Sequence, residues 1–116
     1  MKTDVSVIMS VKNDYHNFVN ESISSILNQT FRNFEFIIIA DGCDEKTLLK
    51  LKKYSSLDKR INLIIQENIG LTKSLNKALN YSNSKNILRQ DYDDISEPKR
   101  IETLLKYLNK NKDFVV

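Results

Sequence analysis

The chain has 116 residues, 41% hydrophobic and 28% charged. That is the make-up of one ordinary folded domain, not of a disordered or collagen-like chain. Its 18 Lys and Arg stand against 15 Asp and Glu, a net charge of +3. This is too mild to predict a nucleic-acid partner, though it is compatible with weak attraction to an anionic membrane surface. A single cysteine, Cys43, and a single histidine, His16, exclude an internal disulfide, a cysteine-cluster zinc site and an HExxH metal site.

The apolar pattern alternates between two periods. Val5 to Met9 is short and rich in β-branched residues, as a buried strand is. Phe18, Val19, Ile23, Ile26 and Leu27 then recur at helical spacing, which predicts a helix from about Asp14 to Asn28. Phe34 to Ile39 is the most apolar strand. Asp44 is placed to cap a helix whose inner stripe is Leu48, Leu49, Leu51 and Tyr54.

Ile61 to Ile65 reads as a third strand. Gly70 precedes a helix carrying Leu71, Leu75, Ala78 and Leu79. Asn86 to Arg89 is a shorter fourth strand. Ser96-Glu97-Pro98 has the form of an N-cap followed by proline in the first turn, ahead of a helix with Ile101, Leu104, Leu105 and Leu108 inward. Phe114-Val115-Val116 looks like the start of a fifth strand.

No apolar run approaches the roughly 20 residues of a membrane span. Met1 to Asp4 runs straight into a strand, so no signal peptide is expected and a cytoplasmic location is. Strict alternation of strand and helix predicts an α/β fold with a doubly wound, mostly parallel sheet flanked by helices. Residues 1–116 form one domain on this reading. In such folds ligands bind beyond the carboxyl ends of the strands, near the point where strand order reverses.

Four strand ends therefore carry the functional question. The fourth strand leads into Asp91-Tyr92-Asp93-Asp94. Three carboxylates in four residues repel one another unless a cation or a helix terminus neutralises them. A DxD at a strand end suits Mg2+ or Mn2+ bridging a diphosphate. The plainer alternative is an acidic turn ahead of the next helix. The second strand ends in Ala40-Asp41-Gly42, where Asp41 either accepts a hydrogen bond from a base or ribose or caps the turn. Cys43 has no neighbouring histidine to activate it and reads as unreactive. Ser10 and Lys12 close the first strand; Lys12 either meets a phosphate or is solvated. Asn68 to Lys73 opens the third helix, where backbone amides and Lys73 can assist anion binding. Neither a P-loop nor GxGxxG is present.

Taken together, these segments resemble family 2 glycosyltransferases. The resemblance is carried by Val5-Ser6-Val7-Ile8-Met9, Ser22 to Phe31, Phe34 to Gly42, Glu67-Asn68-Ile69-Gly70-Leu71-Thr72-Lys73-Ser74-Leu75-Asn76, and Arg89 to Arg100. It implies a GT-A fold and inverting transfer of a sugar from a nucleotide-diphosphate donor, a UDP-sugar above all, with Mn2+ or Mg2+. The acceptor would be a glycan or a lipid-linked molecule, as in polysaccharide biosynthesis, with peripheral association at the inner face of the membrane. It implies that Asp41 reads the nucleobase, Asp93 ligates the metal, Asp91 meets ribose or the metal's water shell, and Ser10 and Lys73 lie near nucleoside and diphosphate.

The sequence departs from the family pattern at Lys12, where an aromatic is usual, and at Ala40-Asp41, where an acidic pair is usual. The family's general base is expected beyond Val116, so this chain reads as the donor- and metal-binding part. The alternative is a non-catalytic nucleotide-sugar-binding or interaction module, pairing with another chain through an exposed sheet edge, as an oligomer does.

Overall fold

The structure, a computed structural model, describes residues 3–110. Strands and helices alternate as β1 (Val5–Val11), α1 (Val19–Leu27), β2 (Phe34–Asp41), α2 (Glu45–Leu57), β3 (Ile61–Gln66), α3 (Leu71–Tyr81), β4 (Asn86–Arg89) and α4 (Arg100–Lys110). The strand expected at Phe114-Val115-Val116 lies outside the described residues.

The strands form one sheet in the order β3-β2-β1-β4, and every pair is parallel. Side chains alternate between its faces. Val5, Val7, Met9 and Val11 of β1 join Phe34, Phe36, Ile38 and Ala40 of β2 in the larger core, under Ile23 and Ile26 of α1, Leu51 of α2 and Ile101 of α4. Ile8, Ile37 and Ile39 point the other way and meet Ala78 of α3. Each fully buried Ile or Phe stabilises by about 1.5–3 kcal/mol. A sheet buried on both faces explains why β2 is an unbroken apolar run.

Going from β1 through β2 to β3, the chain steps one way and its helices lie on one face. Returning to place β4 beside β1, it crosses on the opposite face through α3. Right-handed crossovers require this change of face. The order therefore reverses at β1, and a crevice opens beyond the carboxyl ends of β1 and β4.

Four local expectations need correction. The first helix begins at Val19, not near Asp14. Asp14 does supply the capping group, but across a loop: its Oδ1 accepts from Phe18 N (2.8 Å) and Val19 N (3.2 Å), while Asn17 turns at φ 58°. Phe18 stays 44% exposed beside the His16 ring instead of joining the core. Leu49 is 60% exposed, so the inner stripe of α2 is Leu48, Leu51 and Tyr54. Ser96 does not cap α4, which starts at Arg100. Gln29, at the end of α1, provides that service by accepting from Ile101 N at 3.0 Å. Asp44 caps α2 as expected, accepting from Thr47 N at 2.8 Å.

Candidate functional site

Beyond the strand ends lies a cleft of about 400 Å³. β1 brings Ser10 and Lys12 to it, and β2 brings Asp41. The loop entering α3 adds Asn68, Gly70 and Leu71, and the end of β4 adds Arg89, Asp91, Tyr92 and Asp93. Of the residues singled out in the sequence, Ser10, Asp41, Asp91 and Asp93 thus converge on one cavity. Lys73 is exposed in the first turn of α3 and does not line this cleft.

Asp41 is 3% exposed. It shares a face of β2 with Ile37 and Ile39, so it points toward α3. Its Oδ1 accepts from Ile69 N (2.7 Å) and from Gln66 Nε2 (3.1 Å); its Oδ2 accepts from Gly70 N at 3.1 Å. Burial disfavours the charge. The bonds from Ile69 N, Gln66, Gly70 N and Ser74 outweigh burial and hold the carboxyl below its ordinary value. Those amides belong to the start of α3, whose partial positive charge they direct at Asp41.

Gly42 makes the turn possible. Its φ is +68°, and a Cβ there would sit 2.9 Å from Asn68 Cβ. A glycine lets the β2 end and the Asn68 loop approach, which a side chain would prevent. Cys43 follows. Its thiol donates to Val11 O at 3.2 Å. Burial first, then the charges of Asp44 and Asp41, push it up to about 11, so it is a poor nucleophile.

The acidic turn is of another kind. Asp91, Asp93 and Asp94 each bring one carboxylate oxygen to within 4.8 Å of the others, and Asp93 and Asp94 are exposed. Asp91 pairs with Arg89 (Nε to Oδ1, 2.9 Å), both about half exposed. Asp94 Oδ2 accepts from Asp91 N at 3.2 Å, closing the turn on itself. This all-oxygen, anionic donor set fits a hard divalent cation such as Mg2+ or Mn2+ and is unsuited to a soft one.

Lys12 lines the cleft with its side chain exposed, and Arg89 was not anticipated. Its position as the last residue of β4, just ahead of the acidic run, was the available signal. Gln90, fully buried behind the turn, was also missed. A lone amide in a strand end carries no periodic signature.

The family model described as Glycosyl transferase family 2 matches residues 6–116. The chain belongs to glycosyltransferase family 2. An uncharacterised glycosyltransferase of Haemophilus influenzae is 45% identical over 108 residues, covering 92% of this chain and 33% of that protein. The chain thus spans about a third of that relative's length. Among solved structures, Staphylococcus aureus TarS 1–349 in complex with UDP-GlcNAc superposes with a TM-score of 0.78 at 22% identity, over 94% of this chain and 32% of that one. The mannosyltransferase PcManGT of Pyrobaculum calidifontis, in complex with GDP-Man and Mn2+, gives 0.78 at 18% identity, over 93% and 33%. The fold of this family 2 chain is that of the GT-A glycosyltransferases, and the doubly wound sheet expected from the sequence is the one observed. Among the described residues, no helix is long and apolar enough to cross a membrane.

Proposed function

We propose that the protein transfers a sugar, with inversion, from a UDP-sugar to a glycan or lipid-linked acceptor. On this reading, the present chain holds the donor and a divalent cation. The observation that carries it is the convergence of Ser10, Asp41, Asp91 and Asp93 on one cleft where strand order reverses. Support comes from the nucleotide sugars bound by TarS and by PcManGT, and from the Mn2+ bound by the latter.

Asp41 is the base reader. Its carboxylate lines the cleft while Ile69 N, Gln66, Gly70 N and Ser74 hold it in place. On this reading the carboxylate accepts the N3–H of uracil from the cleft side. The locked carboxylate cannot swing away, and its depressed pKa keeps it an acceptor at neutral pH. Ser10, on the same face of the sheet as Asp41, lies against the nucleoside.

Asp91, Asp93 and Asp94 would hold Mg2+ or Mn2+, with Asp93 as its direct ligand on this reading. The bound cation supplies charge neutralisation for the departing nucleoside diphosphate. Lys12 adds positive charge at the carboxyl end of the neighbouring strand β1. No residue of this cleft is assigned as the base that deprotonates the acceptor hydroxyl. Attack on a lipid-linked acceptor places the protein peripherally at a membrane.

Calorimetry of UDP binding with and without Mn2+ tests the reading. Metal-dependent heat that disappears in Asp93→Ala is the expected result. Equal heat with and without metal, or in wild type and variant, overturns it.

A further inference from the structure

The acidic turn is held from behind by a buried polar network that no part of the donor reading requires. Gln90 is fully buried. Its Oε1 accepts from Ser96 Oγ (2.7 Å) and from an Arg100 guanidinium nitrogen (2.8 Å). Its Nε2 donates to Asp94 O at 2.9 Å and to Ser22 Oγ at 3.1 Å. Ser22 Oγ in turn donates to Asp91 O at 2.8 Å. Both ends of the turn are thus fixed by their carbonyls, leaving its carboxylates exposed at the front.

Arg100 anchors the network. Besides Gln90, it donates to Ser96 Oγ at 2.8 Å and to Arg89 O at 3.3 Å. These three acceptors are all uncharged. A half-buried guanidinium serving three neutral oxygens, with an acidic turn close by, is placed for geometry rather than for ion pairing. Its planar fork fixes several acceptors at once, which a lysine ammonium does not. Ligand carboxylates are oriented by the groups behind them, and losing such a group costs metal affinity.

We propose that Arg100 is a positioning residue for the cation: through Gln90, Ser96 and the Arg89 carbonyl, it holds the Asp91–Asp94 turn in a metal-binding shape. The proposal deepens the donor reading and rests on its metal site. It separates metal affinity from nucleotide affinity, because the network touches the acidic turn and not Asp41.

The test titrates the chain and its Arg100→Met, Arg100→Lys and Ser96→Ala variants with Mn2+ at saturating UDP, and with UDP in EDTA. Arg100→Met is expected to weaken Mn2+ binding about tenfold or more, with metal-free UDP affinity changed by less than about twofold. Arg100→Lys recovers part of the loss, and Ser96→Ala loses a smaller part. Wild-type Mn2+ affinity in folded Arg100→Met overturns the proposal. So does a parallel fall of Mn2+ and metal-free UDP affinity, the signature of a general structural role. Should Arg100→Met not fold, Arg100→Lys and Ser96→Ala decide by the same split, and Mn2+ affinity equal to wild type in both overturns it. A wild-type chain that binds UDP without any Mn2+ dependence removes the metal reading and this proposal together; normal Mn2+ binding in wild type and variants alike removes this proposal alone.

Discussion

Asp41 and Asp93 line the same cleft, yet Asp41 is 3% exposed and is held by Ile69 N, Gln66, Gly70 N and Ser74, while Asp93 is exposed. Asp41 ties the end of β2 to the start of α3, so its charge is part of the fold. The acidic turn keeps its carboxylates outward and is tied through its carbonyls instead. On the proposed reading, the Asp41 carboxylate selects the base because it is held in place. On the same reading the acidic turn takes the cation through exposed oxygens, although Asp91 and Asp94 each spend one carboxylate oxygen on a bond, to Arg89 and to Asp91 N respectively. The contrast predicts that substitutions at the two stations separate stability from metal binding.

Asp41→Ala strikes the fold. It strands the amides of Ile69 and Gly70 and the Gln66 side chain, and is expected to lower unfolding free energy by roughly 3 kcal/mol, read by urea denaturation. A variant as stable as wild type would break the contrast. Gly42→Ala comes next: a left-handed φ and a 2.9 Å approach to Asn68 Cβ should cost about 2 kcal/mol by the same measurement. Asp93→Ala is expected to leave Tm within the range of a surface change while weakening Mn2+-dependent UDP binding about tenfold or more, about 1.4 kcal/mol per tenfold. Calorimetry beside a thermal melt checks both halves.

Acid titration sharpens the same comparison with the smallest effect. Asp41 in the folded chain lies below its ordinary value of 3.8. The stability from its charge is present above the unfolded carboxyl's pKa and is lost as pH falls through the lower folded value. Asp58, lowered chiefly by the Arg60 side chain, adds a loss in the same direction. The difference in stability between wild type and Asp41→Ala should therefore shrink below about pH 3.8. A difference that stays constant into acid would mean that the Asp41 charge contributes nothing.

Much of the site could be read in the chain itself because strand ends are marked by abrupt changes of chemistry. Ile39-Ala40-Asp41-Gly42 passes from apolar run to carboxylate to glycine, and Arg89-Gln90-Asp91 from strand to acid. What could not be read were contacts between residues far apart in sequence. Asp14 looked like the start of a helix, yet it caps α1 across a loop. Ser96 looked like an N-cap, yet its hydroxyl serves Gln90, and Gln29 takes over at Ile101. Local capping patterns describe the nearest available partner, and a tertiary partner that is already buried in the right place displaces it.

The order of apolar runs and periods determined by itself the alternating α/β architecture, the parallel sheet and the end of each strand where polar groups gather. That follows because burial on both faces demands unbroken apolar strands, and right-handed crossovers leave few ways to connect them. Only the tertiary structure decided how each carboxylate is used. Hydrogen-bond partners such as Gly70 for Asp41, or Arg100 for Gln90, are set by three-dimensional approach, and no spacing along the chain encodes the distance between an amide and an oxygen that meet only after the sheet has formed.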